Sequence, residues 1–156
     1  MIFIVPLRQI LANSISDMVF ICRKEHFSAA HRLYNAAWSP EKNCEVYGVC
    51  ANPNWHGHNF ELVVKVGGEI DPNAGWVMDM KVLGRLIKES IIERVDHKNL
   101  NEEVDFLKGK FPSCEVLVME FWKILAPQIE AHSQGRARLH SLTLWETEKN
   151  FVEYFG

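Results

Sequence analysis

The alternation of apolar and polar positions divides the chain into elements before any single residue suggests chemistry. Val19 to Phe27 is β-branched and aromatic enough to read as a strand. From His56 to Val66 the residues alternate: His56, His58, Phe60, Leu62, Val64 and Val66 share one face, and Asn59, Glu61 and Lys65 the other. Between these strands, Leu33 to Asn54 reads as irregular, broken at Pro40, Gly48 and Pro53. Asp79 can cap a helix whose apolar positions Met80, Leu83, Ile87 and Ile91 recur at three and four, with Lys81, Arg85, Lys88, Glu89 and Glu93 covering its other side. A second helix is expected after Pro112-Ser113, carrying Leu117, Phe121, Ile124 and Leu125, and Pro127 is expected to kink or end it. Leu139 to Glu146 alternates again, and a tight turn at Lys149-Asn150 leads into Phe151 to Tyr154. The order strand, strand, helix, helix, strand, strand predicts an α+β domain: an antiparallel four-stranded sheet with two helices on one face. Such a sheet leaves two open edges, so a symmetric oligomer built through them is expected.

Length and composition narrow the class. A chain of 156 residues, with 47% hydrophobic and 24% charged residues, is the size and balance of one globular domain rather than a disordered segment. A net charge of −3 excludes a protein that depends on nucleic-acid backbone contacts, though not one that binds a small polyanion. Four cysteines, Cys22, Cys44, Cys50 and Cys114, do not make a disulfide framework at this length, and the expected setting is a reducing cytoplasm. The apolar opening Met1 to Leu7 is too short to span a membrane and lacks a basic start. Residues 1–17 are therefore expected to be a loosely ordered extension, with Met18 as an alternative start, ahead of a single domain over 18–156.

The chemistry-bearing residues gather at strand ends. In His56-Gly57-His58 the two imidazoles stand at i and i+2 of a strand, so both project to one side with room for a metal between them, and Gly57 allows close backbone approach. His31 falls in register with Phe27 and Ala29 at the end of the first strand. By itself it reads as readily as a rim histidine bonded to a carbonyl, but three histidines with no fourth protein ligand form the pattern of a catalytic zinc with an open position. Cys50 lies six residues before His56, and a thiol beside a dication is a candidate base or nucleophile; Cys44 competes for that role. Cys22 and Cys114 read as packed thiols outside the chemistry, and His26, His132 and His140 as structural or solvent-facing. Asp96-His97 pairs a carboxylate with an imidazole whose tautomer it can fix. Glu146 ends an apolar face; it is either a hairpin-end carboxylate in water or an acceptor for two parallel hydrogen bonds from an amidine-like ring edge. Trp55, next to the histidine pair, is a candidate pocket wall.

Several separated motifs, in order, resemble the family of 6-pyruvoyl-tetrahydropterin and 6-carboxytetrahydropterin synthases. They are Phe27-Ser28-Ala29-Ala30-His31-Arg32-Leu33, the run from Cys50 to Phe60, Asp96-His97-Lys98-Asn99-Leu100, Pro112-Ser113-Cys114-Glu115 and Leu144-Trp145-Glu146-Thr147. The resemblance implies the tunnelling ββααββ fold and a homo-oligomer, typically a hexamer built as a dimer of trimers, with active sites between subunits. It implies zinc (Zn2+) on His31, His56 and His58, Cys50 as proton acceptor, Asp96 and His97 in a proton relay, Glu146 as anchor of the pterin ring and member of that relay, and Glu115 among the pterin contacts. The implied substrate is 7,8-dihydroneopterin triphosphate, with no nucleic-acid or membrane partner, and Lys98, Arg32 and Lys42 are candidate triphosphate contacts by charge. Ala51, Trp55, Phe60 and Val116 depart from the Asn, Gly, Tyr and Asn frequent in the pyruvoyl enzymes. The Cys50 to His56 spacing nevertheless matches those enzymes better than the carboxy enzymes of queuosine synthesis, whose cysteine sits closer. The expected activity is a lyase forming 6-pyruvoyl-tetrahydropterin. The alternatives are a carboxy-forming lyase that releases acetaldehyde, a zinc-dependent hydrolase, and a non-catalytic pterin-binding module.

Overall fold

The computed structural model describes residues 18–156; the expected N-terminal extension lies outside them. Strand β1 (Val19–His31) and strand β2 (His56–Gly68) form a long antiparallel pair, in register from Val19 opposite Gly68 to His31 opposite His56. Strand β4 (Ala137–Trp145) pairs antiparallel with β2, and β5 (Phe151–Tyr154) with β4. The sheet has five strands rather than the expected four, in the order β3 (Lys98–Asn99), β1, β2, β4, β5. The extra strand, β3 (Lys98–Asn99), is a two-residue parallel pairing with Ala29 and Ala30, too short to leave a periodic signal. It covers only the end of β1, so the edge of β1 from Val19 to Ser28 has no strand partner among the described residues.

The period-two pattern puts Phe27, Phe60, Leu62, Val64, Val66, Leu142 and Leu144 on one face, and the helices cover it. Helix α2 opens as Met80–Ile87, passes through a π-helical turn Lys88–Ile92 and closes with Glu93–Val95. Asp79 caps it as the sequence predicts, its carboxylate accepting from the Lys81 N–H at 2.8 Å. Leu83, Ile87 and Ile91 are buried, but Met80 is exposed and Leu86 takes its expected place in the core. Helix α3 (Cys114–His132) is capped by Ser113 and runs through Pro127. The expected stop does not occur, because Leu125 before the proline and Ile129 after it are both fully buried and hold the two halves on one core. The Gln128 side chain also donates to the Ile124 carbonyl at 2.8 Å.

The stretch expected to be irregular contains helix α1 (Pro40–Tyr47) and a 3-10 turn Gly48–Ala51. Ser39 caps α1, Pro40 stands in its first turn where no donor is lost, and the buried Asn43 clips the loop shut. Its amide donates to the carbonyls of Asn35 (3.0 Å), Trp38 (3.3 Å) and Ser39 (3.0 Å), and its oxygen accepts from the Asn35 N–H at 2.7 Å. No helix of the described residues is long and apolar enough to cross a membrane.

Candidate active site and metal centre

Strand pairing assembles the three histidines. His31, last in β1, is the direct partner of His56, first in β2, and His58 stands two residues further on the same face. Their ring centroids lie 4.6 Å (His31–His56), 4.9 Å (His56–His58) and 5.2 Å (His31–His58) apart. One ligating atom from each falls within 4.8 Å of the others. Phe60 floors the group, its ring 5.9 Å from that of His31 and 5.5 Å from that of His58. Burial, the largest cause in each case, holds all three imidazoles below the ordinary histidine range; neighbouring rings add to it, and Glu146 opposes it.

The donor set fits a metal. His31 does bond a carbonyl, the Pro112 oxygen 2.7 Å from Nδ1, and that bond leaves Nε2 as the free lone pair rather than excluding metal binding. Nε2 of His31, Nδ1 of His56 and Nε2 of His58 are buried with no protein partner. Three such nitrogens on neutral rings in one cluster suit a borderline-soft dication better than any arrangement of water alone.

Beside the cluster lies a cavity of about 420 Å³ lined by His31, Cys50, Cys114, Glu115, Glu146 and Lys149, among others. Cys50 reaches it because the Leu33 N–H donates to the Cys50 carbonyl at 2.9 Å, folding the 3-10 turn back against the end of β1. Glu146, just past the end of β4, turns its Oε1 to within 3.5 Å of His31 Nε2 and 3.7 Å of His58 Nε2. Glu115 enters from the first turn of α3. Cys44 is exposed and lines no part of this cavity, and Trp55 does not line it either.

Asp96 and His97 form the expected pair, but away from this cavity. Asp96 Oδ2 stands 3.0 Å from His97 Nδ1, and Oδ1 accepts from the Ser28 N–H at 2.8 Å, the main reason the carboxyl is held below its usual range. His97 adopts φ 57°, a left-handed conformation uncommon outside glycine, and donates its own N–H to the Ser28 carbonyl at 2.6 Å. Its side chain is 82% exposed and borders a depression floored by Ala30 and Gly57 on the outward face of the sheet. Within one chain the pair lines no part of the cavity beside Cys50 and Glu146, although His58 of the histidine cluster borders the same depression as His97.

Two further expectations are corrected. Cys22 is exposed rather than packed, because its strand position faces outward. Cys114, expected to be a bystander, is a buried wall of the cavity; burial first, then Glu146 and Glu115, push its thiol well above the usual range. Its place directly after the Ser113 cap was the available signal. The lysine at the cavity is Lys149, whereas Lys42 pairs with Glu45 at 3.0 Å, Lys98 with Glu103 at 3.4 Å, and Arg32 lies over the Tyr34 ring at 4.2 Å.

Comparison with known proteins places these features in a group. The family model described as 6-pyruvoyl tetrahydropterin synthase matches residues 20–156. The 6-pyruvoyl tetrahydrobiopterin synthase of Poecilia reticulata is 40% identical over 137 residues, covering 88% of this chain and 90% of that protein. The solved structure of the Caenorhabditis elegans 6-pyruvoyl tetrahydropterin synthase superposes with a TM-score of 0.79 at 34% identity, covering 89% of this chain and 96% of that one. A dihydroneopterin monophosphate aldolase of Pyrococcus furiosus is 34% identical over 133 residues, covering 85% of this chain and 94% of that protein.

Proposed function

This chain belongs to the 6-pyruvoyl tetrahydropterin synthase family, and from that premise we propose that it is a lyase converting 7,8-dihydroneopterin triphosphate to 6-pyruvoyl-tetrahydropterin with release of triphosphate. The observation that carries the reading is the cavity walled by His31, Cys50 and Glu146, with the unpartnered nitrogens of His56 and His58 clustered with that of His31 at its side.

His31, His56 and His58 would hold zinc, which as a Lewis acid polarises side-chain hydroxyls and acidifies the C–H and O–H bonds beside them. Glu146 accepts two parallel hydrogen bonds from the amidine-like edge of the pterin ring, fixing its orientation, and Glu115 adds a contact from α3. Cys50 Sγ takes a proton from the side chain, and His97, oriented by Asp96, returns one. Loss of triphosphate and tautomerisation of the side chain complete the reaction. Because the Asp96–His97 pair faces away from its own cavity, it serves the cavity of a neighbouring subunit in a homo-oligomer closed through the open strand edges. A hexamer, a dimer of trimers, is the proposed assembly. Lys149 is the cavity cation best placed to meet a phosphate.

Cys50→Ala tests the assignment. The variant should keep zinc and pterin binding and lose turnover; full retained activity would instead favour a hydrolase driven by the metal site alone. A second reading, carbon–carbon cleavage in the side chain, is supported by the aldolase relative and separates by its product, since it releases an aldehyde.

A further inference from the structure

The Glu146 carboxylate stands where two different partners would claim it. Its Oε1 is 3.5 Å from His31 Nε2 and 3.7 Å from His58 Nε2, and neither contact is a hydrogen bond, since both nitrogens remain unpartnered. Atoms that share one tetrahedral ion at bonds of about 2.0–2.2 Å lie about 3.3–3.6 Å from one another. The carboxylate oxygen is therefore spaced from His31 as a fellow ligand would be, and from His58 just beyond that range. On its other side lies the buried Cys114 thiol, another wall of the same cavity. Glu146 lies just beyond the last residue of β4, in the turn that leads to β5, with its backbone N–H held by the Asn150 carbonyl at 3.0 Å. Its side chain is 25% exposed at the cavity wall, so it can turn about its own bonds without disturbing a strand.

Accepting two parallel bonds from a ring edge occupies one lone pair of each carboxylate oxygen and fixes the carboxylate facing the ring rather than the ion. We infer that Glu146 is an exchangeable arm, completing the coordination of the ion held by His31, His56 and His58 while the cavity lacks pterin, and releasing that position when a pterin ring takes the carboxylate. The inference rests on the pterin reading above and adds a consequence: ring recognition itself vacates the coordination position that the substrate side chain needs. A substrate fragment without the ring meets a closed metal, so the exchange acts as a selectivity filter.

The coupling is reciprocal by thermodynamic necessity. The test measures zinc affinity of the full chain by competition with a chromophoric chelator, with and without a 2-amino-4-oxopteridine that carries no side chain. Saturating pteridine should weaken zinc binding by about tenfold or more, the scale of losing one supporting ligand. Glu146→Ala should bind zinc about tenfold more weakly and show no further change with pteridine. The cobalt-substituted wild type should change its visible absorption on adding pteridine, and the cobalt-substituted variant should not; loss of a nearby negative charge alone would leave the coordination spectrum unmoved. Failure of the pteridine to bind the metal-free protein refutes the pterin reading and the exchange together. Pteridine binding with unchanged zinc affinity and an unchanged cobalt spectrum refutes the exchange alone.

Discussion

Glu120 is the carboxylate whose removal tests the packing beneath the site most cleanly. It lies on α3, its side chain only 11% exposed, between Lys110 at 2.7 Å and Lys123 at 2.7 Å. Lys110 also donates to the Phe106 carbonyl at 2.8 Å, so the pair fastens the loop that ends at Pro112, whose carbonyl orients His31. Glu120→Gln keeps the shape and removes the charge. The two ammonium groups are 40% and 61% exposed, so each ion pair contributes at the surface scale of about 0.5–1 kcal/mol rather than the buried scale. Together the loss is about 1–2 kcal/mol, which lowers Tm by roughly 3–7 °C for a domain of this size. The pH dependence has a definite sign. Hydrogen bonds from Lys110 and then Lys123 hold the Glu120 carboxyl below the ordinary 4.5 of a free glutamate. Its stabilisation is therefore complete above that value and is lost as pH falls through the depressed native pKa. Thermal melts of wild type and Glu120→Gln should differ at pH 7, and the gap should narrow as pH falls below 4.5. Equal melting at pH 7, or a gap that does not narrow in acid, would show that packing rather than charge holds α3 to the loop.

Other perturbations have outcomes as specific. Phe60→Ala removes a fully buried ring stacked on Phe27 at 4.8 Å and should cost about 3–5 kcal/mol in urea titration; its zinc affinity should fall too, since His31 and His58 rest on that ring. Gly68→Ala should cost about 1–3 kcal/mol, because a Cβ there would come within 2.6 Å of the Arg136 carbonyl. Gly57→Ala should leave monomer stability nearly unchanged, because its Cβ would meet only the Ala29 carbonyl at 3.5 Å; a large loss of stability would contradict this. Stripping zinc with a chelator should lower Tm, by the equivalent of about 2.7 kcal/mol relative to protein held at a hundredfold excess of free zinc over Kd; an unmoved Tm would argue against the histidine metal site.

The sequence made the histidine cluster readable because strand periodicity is rigid. Residues at i and i+2 share a face, so His56 and His58 had to project together, and Phe27, Ala29 and His31 had to line the facing strand. Asp79 was readable as a cap because its side chain has a local job, and the start of the second helix was readable after Pro112-Ser113, where Ser113 proves to be the cap. What escaped depends on contacts distant in sequence. Helix α1 hides among breakers because Pro40 starts a helix as easily as it stops one, and Asn43 secures it through a loop no local pattern reveals. Pro127 ends nothing because core burial on both sides outweighs one lost hydrogen bond. The expected close approach at Gly57 is absent within the chain, where the Ala29 carbonyl stands at ordinary contact distance. Cys114 and Lys149 reach the cavity only once α3 and the β4–β5 turn close over β1.

The claim that this chain is a pyruvoyl-forming lyase is tested most directly by analysing products from the purified, zinc-loaded protein incubated with 7,8-dihydroneopterin triphosphate. The account predicts stoichiometric release of inorganic triphosphate together with 6-pyruvoyl-tetrahydropterin. Acetaldehyde with a 6-carboxy pterin, or a substrate that binds and keeps its triphosphate, would contradict it.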